Sequence, residues 1–146
     1  MMKKIKVFYE AFEELDKRYE ANEGNEEECK KIREDAEKLR EQIGAEGEYF
    51  CWIYREYESQ QKRGNTYIDL AELNDERKVA GIVDMMRRCG IQFFTFSSSW
   101  SSSNEVAWEL TKNGCTVCGM VEINGRHQAF MKEEYEKAHG YLFRTF

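Results

Sequence analysis

One apolar repeat constrains this chain more than any other feature. Cys29, Ile32, Ala36, Leu39, Ile43, Glu46, Phe50, Ile53 and Tyr57 alternate spacings of three and four. That is the phase of a helix burying one stripe along its length. The phase runs through Gly44 and Gly47, and each glycine inside a helix costs about 1 kcal/mol relative to alanine. Two arrangements fit: a single long helix over about 26–62, kinked at the glycines, or two helices broken at 44–47. The preserved phase favours the single helix. Asn25, with Glu28 three residues on, has the spacing of an N-cap. Upstream, Val7, Ala11, Leu15 and Tyr19, flanked by Phe8 and Phe12, predict a helix from 6 to about 20, ended by "ANEGN". The short link makes residues 1–63 a helical hairpin. The stripe is expected to serve as its internal seam, with a structural homodimer of hairpins as the alternative.

From Thr66 the period changes, so a second unit is expected over 64–146. "TYIDLAEL" alternates as a strand. Asn74 or Asp75 can cap a helix carrying Val79, Ile82, Val83 and Met86, stopped at Cys89-Gly90. "IQFFTF" is near-continuously apolar, as in a strand buried on both faces of a parallel pair. A helix with Val106, Ala107 and Leu110 follows, ended by Asn113-Gly114, then the strand "CTVCGMVEI". Asn124-Gly125 predicts a two-residue hairpin turn that would pair Ile123 with Arg126 and Glu122 with His127. "KEEYEKAH" predicts a short helix and "GYLFRTF" a closing strand. The fold class is therefore α+β or α/β, a long helical hairpin followed by a βαβαββαβ-like mixed-sheet domain.

The net charge is -6, which argues against direct binding to nucleic acid or membranes, both anionic. It leaves room for a protein partner, including a basic nucleic-acid-binding effector. No apolar run is long enough to span a bilayer. Five scattered cysteines suit reduced thiols and a cytoplasmic setting. Cys115 and Cys118 form a CxxC within a strand, where residues three apart point to opposite faces, so no metal site is expected. No cofactor is expected, and no GxSxG elbow accompanies the clustered serines, so no catalytic residue is assigned.

The stretch "FTFSSSWSSSNEV" is the main candidate for function. Ser102 and Glu105 have capping-box spacing. Trp100, with Ser99, Ser101 and Asn104, is a candidate protein-binding loop, because tryptophan is enriched at binding hot spots. The alternative is a ligand site over 97–104, with Ser97, Ser98, Ser102 and Ser103 supplying hydroxyls and backbone N–H groups. That reading requires a pocket at the strand ends that Trp100 does not fill.

The segments "YIDLAEL", "FTFSSSWS", "NGCTVCGMVEI" and the terminal "YLF" resemble a small uncharacterised family of Firmicutes and their phages or mobile elements. The resemblance covers the second half of the chain. It implies a genomic setting in which small acidic proteins often inhibit bacterial defence, anti-CRISPR proteins among them. The function expected on this basis is a non-enzymatic protein-binding module, in its concrete form an inhibitor of a defence nuclease. Its second contact surface would be Glu34, Glu37 and Glu41 on the long helix.

Overall fold

A computed structural model describes residues 3–42, 47–128 and 133–146. Helix α1 (Lys3–Ala21) turns back through residues 22–25 into α2 (Glu26–Glu41). The Asn25 side chain accepts a hydrogen bond from the Glu28 N–H at 3.2 Å, the expected N-cap. Across the hairpin, Arg18 donates to Asp35 at 2.9 Å and to Glu28 at 3.3 Å. The expected single helix over about 26–62 is instead two: α2 closes at a C-cap on Gln42, and α3 begins afresh (Gly47–Arg63). Residues 43–46, between the two helices, lie outside the described residues.

Both helices keep the predicted stripe facing inward, since Cys29, Ile32, Phe50, Ile53 and Tyr57 are all buried. The buried stripe of α1 differs from the one expected. Val7 and Tyr19 face solvent, while Ile5 and Phe8 are buried. Phe8 meets Phe50 edge-on at 5.1 Å, and Tyr9 and Phe12 pack on Tyr54. The aromatic positions beside the predicted stripe win because rings bury more apolar area than valine or alanine.

The sheet follows. Strand β1 (Ile68–Asp69) leads through a 3-10 turn (Glu76–Lys78) to α4 (Val79–Arg88), then β2 (Phe93–Phe96), α5 (Ser103–Lys112), β3 (Thr116–Gln128) and β4 (Tyr135–Arg144). The strand order is β1-β2-β4-β3. β1 and β2 run parallel, while β4 is antiparallel to both its neighbours. The mixed sheet of the expected fold class is thus present, with a simpler tail: βαβαββ rather than βαβαββαβ. The core joins α1 and α3 to α4, α5 and the sheet. At its centre Phe94 and Phe143, register partners, stack at 5.3 Å with planes 5° apart. Arg87 of α4 ties the ends together, donating to the carbonyls of Thr145 and Asn113, each at 2.6 Å.

Three expectations about the tail are corrected. Asn124-Gly125 is no hairpin turn, because β3 runs through it to Gln128. Gly125 is needed for a different reason: a Cβ there would meet the Glu136 carbonyl at 3.0 Å. The register therefore pairs Glu122 with His139 and Ile123 with Ala138, not with His127 and Arg126. The expected "KEEYEKAH" helix is not formed over Tyr135–His139, which belong to β4; Lys132 lies outside the described residues. Pairing with β3 from Tyr135 to His139 overrides a local helical preference, as tertiary context commonly does.

Helix α3 ends by clamping β3. Gly64 takes φ +67°, and the Asn65 N–H returns to the Gln60 carbonyl at 3.1 Å. This is a helix stop of Schellman type. It delivers the Asn65 side chain to the edge of β3. There Asn65 Nδ2 donates to the Asn124 carbonyl at 2.9 Å, and the Asn124 N–H donates to Asn65 Oδ1 at 2.8 Å. One side-chain amide thus pairs with a strand residue as a neighbouring strand would. Arg63 Nη1 adds a bond to the same carbonyl at 3.0 Å, and Asn124 Nδ2 donates to the Arg63 carbonyl at 2.7 Å. Replacing Asn65 by alanine strands the Asn124 N–H at the strand edge. The expected cost is about 1–3 kcal/mol in urea unfolding. An unchanged midpoint would show that water replaces the clamp.

Candidate functional site

The serine loop leaves the end of β2, where β1 also ends. Asp69, the last residue of β1, is 1% exposed. Its Oδ1 accepts a hydrogen bond from the Thr95 hydroxyl at 2.8 Å, and its Oδ2 one from Ser97 at 2.6 Å. The parallel register that places Asp69 beside Thr95 makes this possible. A carboxylate so deep in the fold persists because hydroxyls satisfy it.

Around Asp69 opens a cavity of about 290 Å³, walled by Ser97, Ser99, Trp100, Glu72 and, from β3 and β4, Arg126, His127, Glu136 and Lys137. Trp100 is a wall and not a plug, since 48% of it remains exposed. Of the serines assigned to a ligand site, Ser97 reaches the cavity; Ser98, Ser102 and Ser103 do not line it. Ser99, assigned to a protein contact, does. Ser98 Oγ accepts from the Trp100 N–H at 3.3 Å, which shapes the loop. Ser102 makes no capping bond to α5; its hydroxyl donates to the Asn74 carbonyl at 2.8 Å and ties the loop to the start of the preceding helical segment. The expected capping box is therefore absent. Ser101 and Asn104 are exposed and do not line the cavity.

Arg126 was not among the expected site residues, and its position follows from an irregularity. Between Asn124 and Gln128, β3 advances four residues while β4, from Lys137 to Tyr135, advances two. Such bulges re-aim side chains. Arg126 Nη2 here donates to Glu56 of α3, and its Nε lies 3.3 Å from Glu72. Glu56 is itself buried, and burial pushes its carboxyl above the ordinary value, outweighing the opposing pull of Arg126. Beside it Arg63 is pushed below its ordinary value, first by burial and then by the charge of Arg126. Lys137 is engaged too, donating to Asn124 Oδ1 at 2.6 Å. The cavity thus offers carboxylates, hydroxyls and an indole face, while its cations already have partners.

The other expected positions lie elsewhere. Glu34, Glu37 and Glu41 are exposed on α2, and Glu37 pairs with Arg40 at 3.5 Å. Cys115 is buried and Cys118 exposed, so the CxxC does not converge. Among the described residues no three His, Cys, Asp or Glu side chains gather as a metal site, and no helix is long and apolar enough to cross a membrane. Trp108, 64% exposed on α5, escaped the sequence reading. Its spacing of four from Asn104 was the available signal.

A pH dependence follows from Glu56. A carboxyl raised above its unfolded value of 4.5 holds its proton longer in the folded state. Stability is then highest below that value and falls as pH rises through the raised one. Glu56→Gln should flatten this fall in a series of urea unfolding curves. The same slope in both proteins would mean that Arg126 keeps Glu56 ionised at no cost.

No curated protein and no solved structure matches the chain significantly. One family model matches residues 52–145, which takes in the end of the helical part, the whole sheet and every residue of the cavity. On that match, covering more than half of its length, the chain belongs to the family described as Domain of unknown function (DUF7698).

Proposed function

We propose that the protein is a recognition module whose site is the cavity at the ends of β1 and β2. Its ligand is a small neutral ring rich in hydroxyls. The observation that carries this reading is the stance of Trp100, half exposed as one wall of a polar cavity. An indole face stacks against a flat ring. Glu72 and Glu136 can accept from ligand hydroxyls, Ser99 can both accept and donate, and Ser97, whose proton goes to Asp69, can accept. Ligands of open sheets bind beyond the carboxyl ends of parallel strands, where this cavity opens. The test is a panel of monosaccharides and nucleosides followed by tryptophan emission. At least one class should perturb the emission saturably, and the effect should vanish in Trp100→Ala while surviving in Trp108→Ala. No saturable response, or one indifferent to Trp100, refutes the reading.

A second reading rests on a different observation. Trp100 and Trp108 are both largely exposed, at the head and on the outer face of one loop-helix segment. Exposed tryptophan is uncommon and is the residue most often found at binding hot spots. This supports a protein-binding module, with a phage- or mobile-element-encoded inhibitor of a defence nuclease as its specific form. In that form Glu34, Glu37 and Glu41 face Lys or Arg of a basic effector. A partner held this way should lose affinity as salt rises from 50 to about 300 mM, since rim charges are screened over roughly 10 Å or less. Salt-independent binding refutes the electrostatic form and leaves the tryptophans as the anchor.

A further inference from the structure

A second cavity, of about 380 Å³, shares Arg126 with the first and is otherwise lined by Arg55, Glu58, Ser59, Lys62, Arg63 and Tyr135. In a chain of net charge -6, this groove gathers four cations and a single carboxylate. The carboxylate, Glu58, is engaged with Lys62 at 3.0 Å. Arg126 is held by Glu56 and Glu72. Arg55 is exposed and makes no ion pair among the described residues. Arg63 is the more telling group. It is 4% exposed, and only Nη1 finds an acceptor, while Nε and Nη2 have none among the described residues. Those two nitrogens are shielded from solvent, so their charge acts through space on whatever lies in the groove. A buried guanidinium with two of its three nitrogens unpaired is costly unless counter-charge arrives. The hydroxyls of Ser59 and Tyr135 can also donate, so every lining group but Glu58 suits an anion.

We infer that this groove binds an oxyanion of the phosphate class, contacted by Arg55 and Lys62 with the partly unsatisfied guanidinium of Arg63 beneath. Arg55 supplies the planar fork that matches phosphate oxygens, and Lys62 a mobile point charge. The inference is independent of the serine-loop cavity, whose cations are already engaged. Burial and Arg126 both push the Arg63 guanidinium below its ordinary value, and the charges of Asp69 and Glu56 offset this only in part.

The test titrates the full chain with inorganic phosphate and, separately, with a nucleoside monophosphate. Ionic strength is fixed, with chloride as reference, and thermal unfolding and calorimetry are the readouts. Phosphate should raise the midpoint saturably. Arg55→Gln, which removes a side chain with no ion pair among the described residues, should weaken binding at least about tenfold. Arg55→Gln combined with Lys62→Gln should abolish it, and Arg40→Gln on α2 should change nothing. Tighter binding of the monophosphate identifies an ester as the ligand, and equal binding identifies free phosphate. A midpoint shift no larger than that of chloride overturns the inference, as does an equal shift in the double variant.

Discussion

The meeting of α3 with β3 at Asn65 and Asn124 governs the rest of the molecule. β3 lies at the edge of the sheet, and an edge strand presents unpaired N–H and C=O groups. At Asn124 those groups are taken by a side-chain amide and a guanidinium from the end of α3. The helical part is thereby bonded to the strand farthest from β1. The bulge directly beyond Asn124 brings Arg126 back over α3 to Glu56. Were the Asn-Gly pair a turn, Arg126 would start a returning strand and could not reach this helix from the same register. The clamp, the bulge and the site are one local event.

It follows that α3 carries two inward stripes. Ile53 and Tyr57 meet the apolar core, while Glu56, Gln60 and Arg63 are equally buried and polar. Gln60 closes the helix end by donating to the Asn65 and Thr66 carbonyls at 3.1 and 2.8 Å. Burying Glu56 with Arg126 contributes little net stability, because desolvation offsets attraction. What the pair fixes is position: Arg126 stands where the two cavities meet and lines both. Its guanidinium answers to Glu56 from one side and to Glu72 from the other.

Much of this architecture was legible because it rests on local rules. The Asn25 cap, the stops at Cys89-Gly90 and Asn113-Gly114 and the parallel pair of "IDL" with "FFTF" each depend on a few neighbouring residues. The failures were non-local. Asn-Gly has the same backbone freedom in a bulge as in a turn, and only the approach of Glu136 from β4 decides between them. Glu and Lys in "EEYEKA" favour a helix until β3 pairs with the stretch from Tyr135 on.

The candidate site was half legible for a related reason. The serine loop stood out by composition, and Trp100 does line the cavity. Asp69, Glu56, Arg63 and Arg126 did not stand out, because periodicity counts apolar residues and treats every charge as a surface mark. Two signals were nevertheless present. Asp69 sits between Ile68 and Leu70 in a strand with no polar neighbour, where a carboxylate persists only if hydroxyls reach it. Glu56, Gln60 and Arg63 follow one another at helical spacing on the flank of Ile53 and Tyr57. Three long polar side chains beside a core stripe predict a charged cleft along that helix, and the groove that Arg63 lines borders it.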